Sequence, residues 1–142
     1  MRGEGRGEDN AVVSVSGGLN LAELRRYMTR VSDRWPIEAA YVGGARVAEE
    51  LDHPGSDLTG PERGPEFVVV LVSAAFDQVP WLERLHVAGS LWDGLEMGSG
   101  ADIYCYTPPE FHRKQAQLPK VRDAVWRGVD LVAESQPHRS RR

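Results

Sequence analysis

The run Phe67-Val68-Val69-Val70-Leu71-Val72 constrains the fold of this chain more than any other stretch. Six consecutive apolar residues bounded by polar, turn-rich sequence read as a buried strand. Side chains alternate between the two faces of a strand, so both faces of this one are apolar. It therefore belongs at the centre of a sheet that is covered on each side.

The flanking sequence supplies the covering layers. Leu21, Leu24, Met28 and Val31 recur at steps of three, four and three, which places them on one helical face. Asn20 begins that helix with Glu23 at capping-box spacing, and Arg25, Arg26 and Arg30 take its remaining surface. Residues 37–42 read as a strand, Gly43-Gly44 as a turn and residues 45–51 as a short helix. Residues 52–65 are rich in glycine and proline and form a loop long for a compact domain; such loops tend to carry function.

A second long helix is expected from Pro80, with Leu85, Ala88, Trp92 and Leu95 inward and Gly98-Ser99-Gly100 at its end. A strand follows over 101–106. Thr107, Pro108 and Glu110 then form a strong helix start, with a threonine cap, proline first and glutamate third. A last helix over 119–127 stops at Gly128, and residues 129–132 read as a closing strand. The order predicts an α/β (α+β) fold, a small mixed β-sheet packed on helices. One domain is expected over 11–133, between a loose N-terminal tail at 1–10 and a basic tail at 134–142.

Composition narrows the function classes. The hydrophobic fraction of 41% suffices for a core, and the formal net charge of -4 disfavours binding to a nucleic-acid backbone. The single cysteine, Cys105, cannot form an intrachain disulfide or a cysteine-based zinc site. No stretch has the roughly 18 apolar residues of a membrane helix, and Met1 to Asn10 lacks the apolar segment of a signal peptide. A cytoplasmic location without membrane attachment is the expectation.

Three acidic residues lie near strand ends: Asp57 in the long loop, Glu66 just before the valine run, and Asp102 at the start of the next strand. Carboxylates from adjacent strands can hold divalent cations, and two such cations can clamp a triphosphate. A glycine turn that opens a helix can offer backbone N–H groups to phosphate. Here that turn is Gly43-Gly44, with Arg46 beside it as the cation best placed to reach a phosphate.

In this order the residues resemble the minimal nucleotidyltransferase domains of the DNA polymerase β-like superfamily, in particular the stand-alone bacterial type. The fingerprint of that family is a strand, a Gly-Ser turn, a short helix, an Asp-x-Asp leading into an apolar strand, and a third carboxylate on a later strand. The matching segments are Tyr41-Val42-Gly43-Gly44-Ala45-Arg46, Gly55-Ser56-Asp57-Leu58 and Ala101-Asp102-Ile103-Tyr104. Tyr106-Thr107-Pro108-Pro109-Glu110-Phe111 extends the likeness.

The chain departs from the pattern at Ala45, which stands in place of the serine, and in the acidic pair. That pair reads Asp57-Leu58-Thr59 in one register and Gly64-Pro65-Glu66 in the other. Residues two apart on a strand share a face, whereas Asp57 and Glu66 have no such constraint.

The resemblance implies transfer of a nucleoside monophosphate from ATP or another NTP to a hydroxyl acceptor, with Mg2+. Glu66, Asp102 and Asp57 would be the metal ligands and catalytic acids, and Gly43, Gly44 and Arg46 would contact the nucleotide. Asp102 would also orient or deprotonate the acceptor. The alternative is a catalytically impaired or inactive member of the same fold, kept as a binding or regulatory module and paired with a separate helical protein. Of the other candidates, Cys105 reads as a buried, inert thiol. The four histidines have no metal-ligand spacing, and Trp81, Trp92 and Trp126 read as helix packing residues.

Overall fold

The computed structural model of the chain describes residues 19–51 and 64–135. The expected N-terminal tail, the loop holding Asp57, and everything beyond Ser135 lie outside the described residues.

The valine run forms β2 (Val68–Val72), and all five of its residues are buried. It pairs antiparallel with β1 (Ala39–Gly43) on one side and parallel with β3 (Asp102–Tyr106) on the other. A two-residue strand, β4 (Val129–Asp130), pairs antiparallel with β1, giving a mixed sheet of order β3-β2-β1-β4. The central position required by two apolar faces is therefore the observed one. Val69 and Leu71 face one core layer, while Val68, Val70 and Val72 face another.

The larger layer is built on α1 (Leu21–Arg34), whose Leu24, Tyr27, Met28 and Val31 are buried. Val47 of α2 (Ala45–Leu51), Ala88 of α3 (Trp81–Ser90), Met97 of α4 (Gly94–Met97) and Leu131 of α7 (Leu131–Ser135) complete it. The smaller layer consists of α5 (Pro108–Gln117) and α6 (Pro119–Arg127), with Val121 and Ala124 of α6 at its centre. Burial of β2 on both faces removes five side chains from water, each contributing about 1.5–3 kcal/mol.

Two expected elements are corrected. The helix from Pro80 stops at Ser90 rather than running to Leu95. Asp93 starts a new turn instead, its side chain accepting the Glu96 N–H at 3.0 Å. Leu95 is consequently 97% exposed, and Met97 takes the core position. The closing strand ends after Asp130 because the Asp130 carboxylate accepts the N–H groups of Val132 and Ala133 and opens α7. Trp126 is also corrected: it is 77% exposed on α6 rather than a packing residue. A 3₁₀ turn at Ala74–Gln78, capped by Ser73, has no counterpart among the expected elements.

Caps form where side chains allow. The Asn20 side chain accepts the Glu23 N–H at 2.9 Å. Glu23 does not complete that box: its carboxylate, 2% exposed, bonds Arg26 and Arg30, and Arg30 also donates to the Leu91 carbonyl. Thr107 and Glu110 do form the full capping box of α5.

Buried Arg84 of α3 donates to Glu110 at 2.9 Å and to the Cys105 carbonyl at 3.0 Å, tying α3 to β3 and α5. Burial alone would raise the Glu110 carboxyl, but the Thr107 N–H and the Arg84 guanidinium more than offset this and hold it below its ordinary value. A depressed carboxyl stabilises the fold above its unfolded pKa, about 4.3, and loses that contribution as pH falls through the folded value. Glu110→Gln keeps an acceptor for the cap but removes the charge. The variant should be about 1 kcal/mol less stable than the parent at pH 7, and urea titrations should find the gap closing below about pH 4.

Candidate functional site

Three strands bring the sequence candidates to one end of the sheet. Gly43, the last residue of β1, is in register with Val68, the first of β2. Val68 is in register with Asp102, the first of β3. Parallel partners in register share a face, so Asp102 lies on the α6 side together with Val68.

Gly44 follows the row with a φ of +105°, a conformation that L side chains rarely adopt. A Cβ there would stand 2.5 Å from the Glu66 carbonyl oxygen. This close approach has a chemical consequence. The Ala45 N–H donates to the Pro65 carbonyl and the Arg46 N–H to the Glu66 carbonyl, each at 3.0 Å. Two amides at the start of α2 therefore have acceptors within the chain, whereas a phosphate-binding turn would present them outward.

Arg46 and Glu66 are occupied with each other. The Arg46 Nε donates to the Glu66 Oε1 at 3.2 Å and another guanidinium nitrogen donates to the Met97 carbonyl at 3.3 Å. Its guanidinium stands 5.3 Å from the centre of the Phe67 ring. Arg46 thus reaches across to α4 and the larger core layer.

Asp102 has a different cation. Its carboxylate lies 3.6 Å from the Lys120 ammonium of α6, with both side chains about half exposed. Asp57 lies outside the described residues. Among the described residues no group of three His, Cys, Asp or Glu could hold a metal ion. Glu66 and Asp102 each face a basic side chain of the chain, Arg46 and Lys120 respectively.

Beside the row lies a cleft of about 260 Å³. Gly43, Gly44, Val47, Pro65 and Val68 line its mostly apolar floor, and Lys120, Asp123 and Arg127 of α6 stand along its rim. α6 comes this close because Gly43 has no side chain: a Cβ would meet the Ala124 Cα at 2.8 Å. Asp102 also borders a second depression with Leu85, Gly89 and Tyr104. The three α6 residues escaped sequence reasoning. Their spacing of three and four puts them on one stripe beside buried Val121 and Ala124, but only tertiary packing turns that stripe toward the glycine turn.

Cys105 is buried and unbridged, as expected. Burial pushes its thiol up to about 12, although Arg84 acts in the opposite sense. The thiolate is the reactive form, so the native protein should resist iodoacetamide at pH 7.5 and modify fully in denaturant. Mass spectrometry that found fast native alkylation would contradict this burial.

Gly44 allows a second test. Gly44→Ala combines strain at positive φ with collision against backbone, whereas at Gly64, with φ of +76°, an added Cβ would meet no atom within 4 Å. Gly64→Ala should cost about 1 kcal/mol and Gly44→Ala about 3 kcal/mol or more. Equal losses in urea denaturation would mean that the close approach contributes nothing.

No protein-family description matches this chain, and no curated protein matches it. Among solved structures, a candidate nucleotidyltransferase from Sulfolobus solfataricus is similar at 17% identity, with a TM-score of 0.43 over 66% of this chain and 71% of that one.

Proposed function

We propose that this chain is a nucleotidyltransferase-like module that binds a nucleotide in the cleft beside Gly43-Gly44 and does not itself transfer the nucleotidyl group. The observation that carries this reading is the row Gly43, Val68, Asp102 across three strands. It gathers the glycine turn, the start of the apolar strand and the third acid at one end of the sheet, in the order the sequence resemblance implies.

Binding is supported by the shape and chemistry of the cleft. Small-molecule sites are concave and mostly apolar, with a few polar groups that orient the ligand. The floor of Val47, Pro65 and Val68 suits a base or sugar face, and Lys120, Asp123 and Arg127 offer charge and hydrogen bonds.

The lack of transfer is supported by the acids. Two-metal phosphoryl chemistry requires carboxylates held on a common face toward the ions. Glu66 is instead paired with Arg46 at 3.2 Å, and Asp102 with Lys120 at 3.6 Å. A transferring enzyme remains the second reading, favoured by one observation: Asp102 borders a second depression where a hydroxyl acceptor could stand. On that reading the acceptor, Mg2+ and a separate helical partner would all come from outside the described chain.

Calorimetric titration with ATP should give saturable binding, and incubation with α-labelled ATP and Mg2+ should leave the label on nucleotide. Absence of binding by any of the four common NTPs would overturn the proposal. Label appearing on a hydroxyl acceptor, and lost in Asp102→Ala, would establish the enzyme instead.

A further inference from the structure

We infer that the cleft holds phosphate directly through the cations of α6, without a divalent metal, and that Asp102 competes with the phosphate for Lys120. This rests on the nucleotide-binding reading and assigns the residues that such binding would use.

Charge is the first argument. A polyphosphate needs positive charge at its site, and acids such as Glu66 and Asp102 repel it unless a cation intervenes. In the usual arrangement of such chemistry a metal intervenes. Here each acid already faces a basic side chain of the chain itself, Arg46 for Glu66 and Lys120 for Asp102. The cations are thus built into the fold, and one of them stands at the cleft.

Geometry is the second. Lys120 and Arg127 are two turns apart on α6, about 10 Å along its axis, and both line the cleft. Gly43 lets that helix lie against the sheet, which brings the two exposed cations to the cleft beside the glycine turn. Asp123 is on the same rim and can accept a hydrogen bond from a hydroxyl or amino group.

Exchange is the third. The Lys120–Asp102 separation of 3.6 Å at half exposure makes a loose pair. A phosphate dianion carries more charge and more acceptor atoms than one carboxylate, and charge-assisted bonds to it are strong. Lys120 has a flexible stem that can turn from Asp102 to a phosphate in the cleft. Asp102 then acts as the internal competitor that holds Lys120 in the absence of ligand.

The inference gives a sign opposite to that of a metal site. With Asp102 as a metal ligand, Asp102→Asn would weaken binding; as a competitor, it would strengthen binding. Lys120 and Asp102 are about half exposed, so their variants should fold, and thermal melts would check this.

Affinity would be measured by calorimetry for ATP, inorganic triphosphate and adenosine, each in EDTA and in Mg2+. ATP should bind in EDTA within about twofold of its affinity in Mg2+. Lys120→Ala should weaken ATP binding about tenfold, with Lys120→Arg restoring most of it, and Asp102→Asn should strengthen binding about threefold.

Binding that requires Mg2+ and is lost in Asp102→Asn would overturn the inference while leaving nucleotide binding intact. Inorganic triphosphate binding as well as ATP, with the same response to Lys120→Ala, would keep the phosphate contact but remove the nucleotide reading. No binding of any probe would overturn both.

Discussion

The approach of Gly44 to the backbone of Glu66 and Phe67 organises the end of the sheet that holds the candidate site. With a φ of +105° and no Cβ, the chain leaves β1 and enters α2 while touching the start of β2. The Ala45 and Arg46 N–H groups then bond to the Pro65 and Glu66 carbonyls, which fixes the entry into β2 from outside the sheet ladder. Held at this point, the Glu66 side chain meets Arg46, and the Arg46 guanidinium covers Phe67 and reaches the Met97 carbonyl. One glycine thus sets the joint between β1 and α2, the direction of an acid and the contact of α4 with the core.

Its neighbour works on the opposite face. Gly43 lets Ala124 of α6 come against β1, and Val68, in register with Gly43, packs into the same small layer. That layer buries fewer large side chains than the α1 layer, so a close fit counts for more in holding α6 down. Lys120, Asp123 and Arg127 ride on this helix, and their position relative to the glycine turn follows from an apolar contact. Surface ion pairs contribute only about 0–1 kcal/mol. The Lys120–Asp102 pair is therefore better understood as setting where a charge rests than as holding the helix.

Legibility of the sequence follows the range of the forces involved. The valine run was readable because burial on both faces leaves a local signature, and the α5 start because Thr107 and Glu110 cap it within one turn. The break at Leu91–Asp93 was not, because helical spacing of Leu85, Ala88, Trp92 and Leu95 continues through it. There a local cap by Asp93, aided by the Trp92 bond to the Ser99 carbonyl, overrides the pattern. Buried Glu23 was hidden for another reason: its partner Arg30 is seven residues away and reads as surface until the Leu91 carbonyl comes beside it. For the site, spacing located Gly43-Gly44 and Asp102 at one end of the sheet. Neither the pairing of Glu66 with Arg46 nor the arrival of α6 could be read, because both depend on backbone contacts between distant segments.

The balance of charge at this end ties the departures in sequence to the chemistry proposed. A two-metal site carries an excess of negative charge that its ions neutralise. Among the described residues, Glu66 and Asp102 face Arg46 and Lys120, and Asp123 and Arg127 both line the cleft. Lys120 has little attraction left for a phosphate while it stays with Asp102. Anion binding then depends on moving one half-exposed ammonium, a small rearrangement opposed by a weak pair. The differences from the resembled pattern, at Ala45 and between Asp57 and Glu66, concern groups that a metal-bridged triphosphate would use. They leave intact the cleft, its apolar floor and the basic residues of α6, which are the parts that direct recognition of a phosphorylated ligand requires.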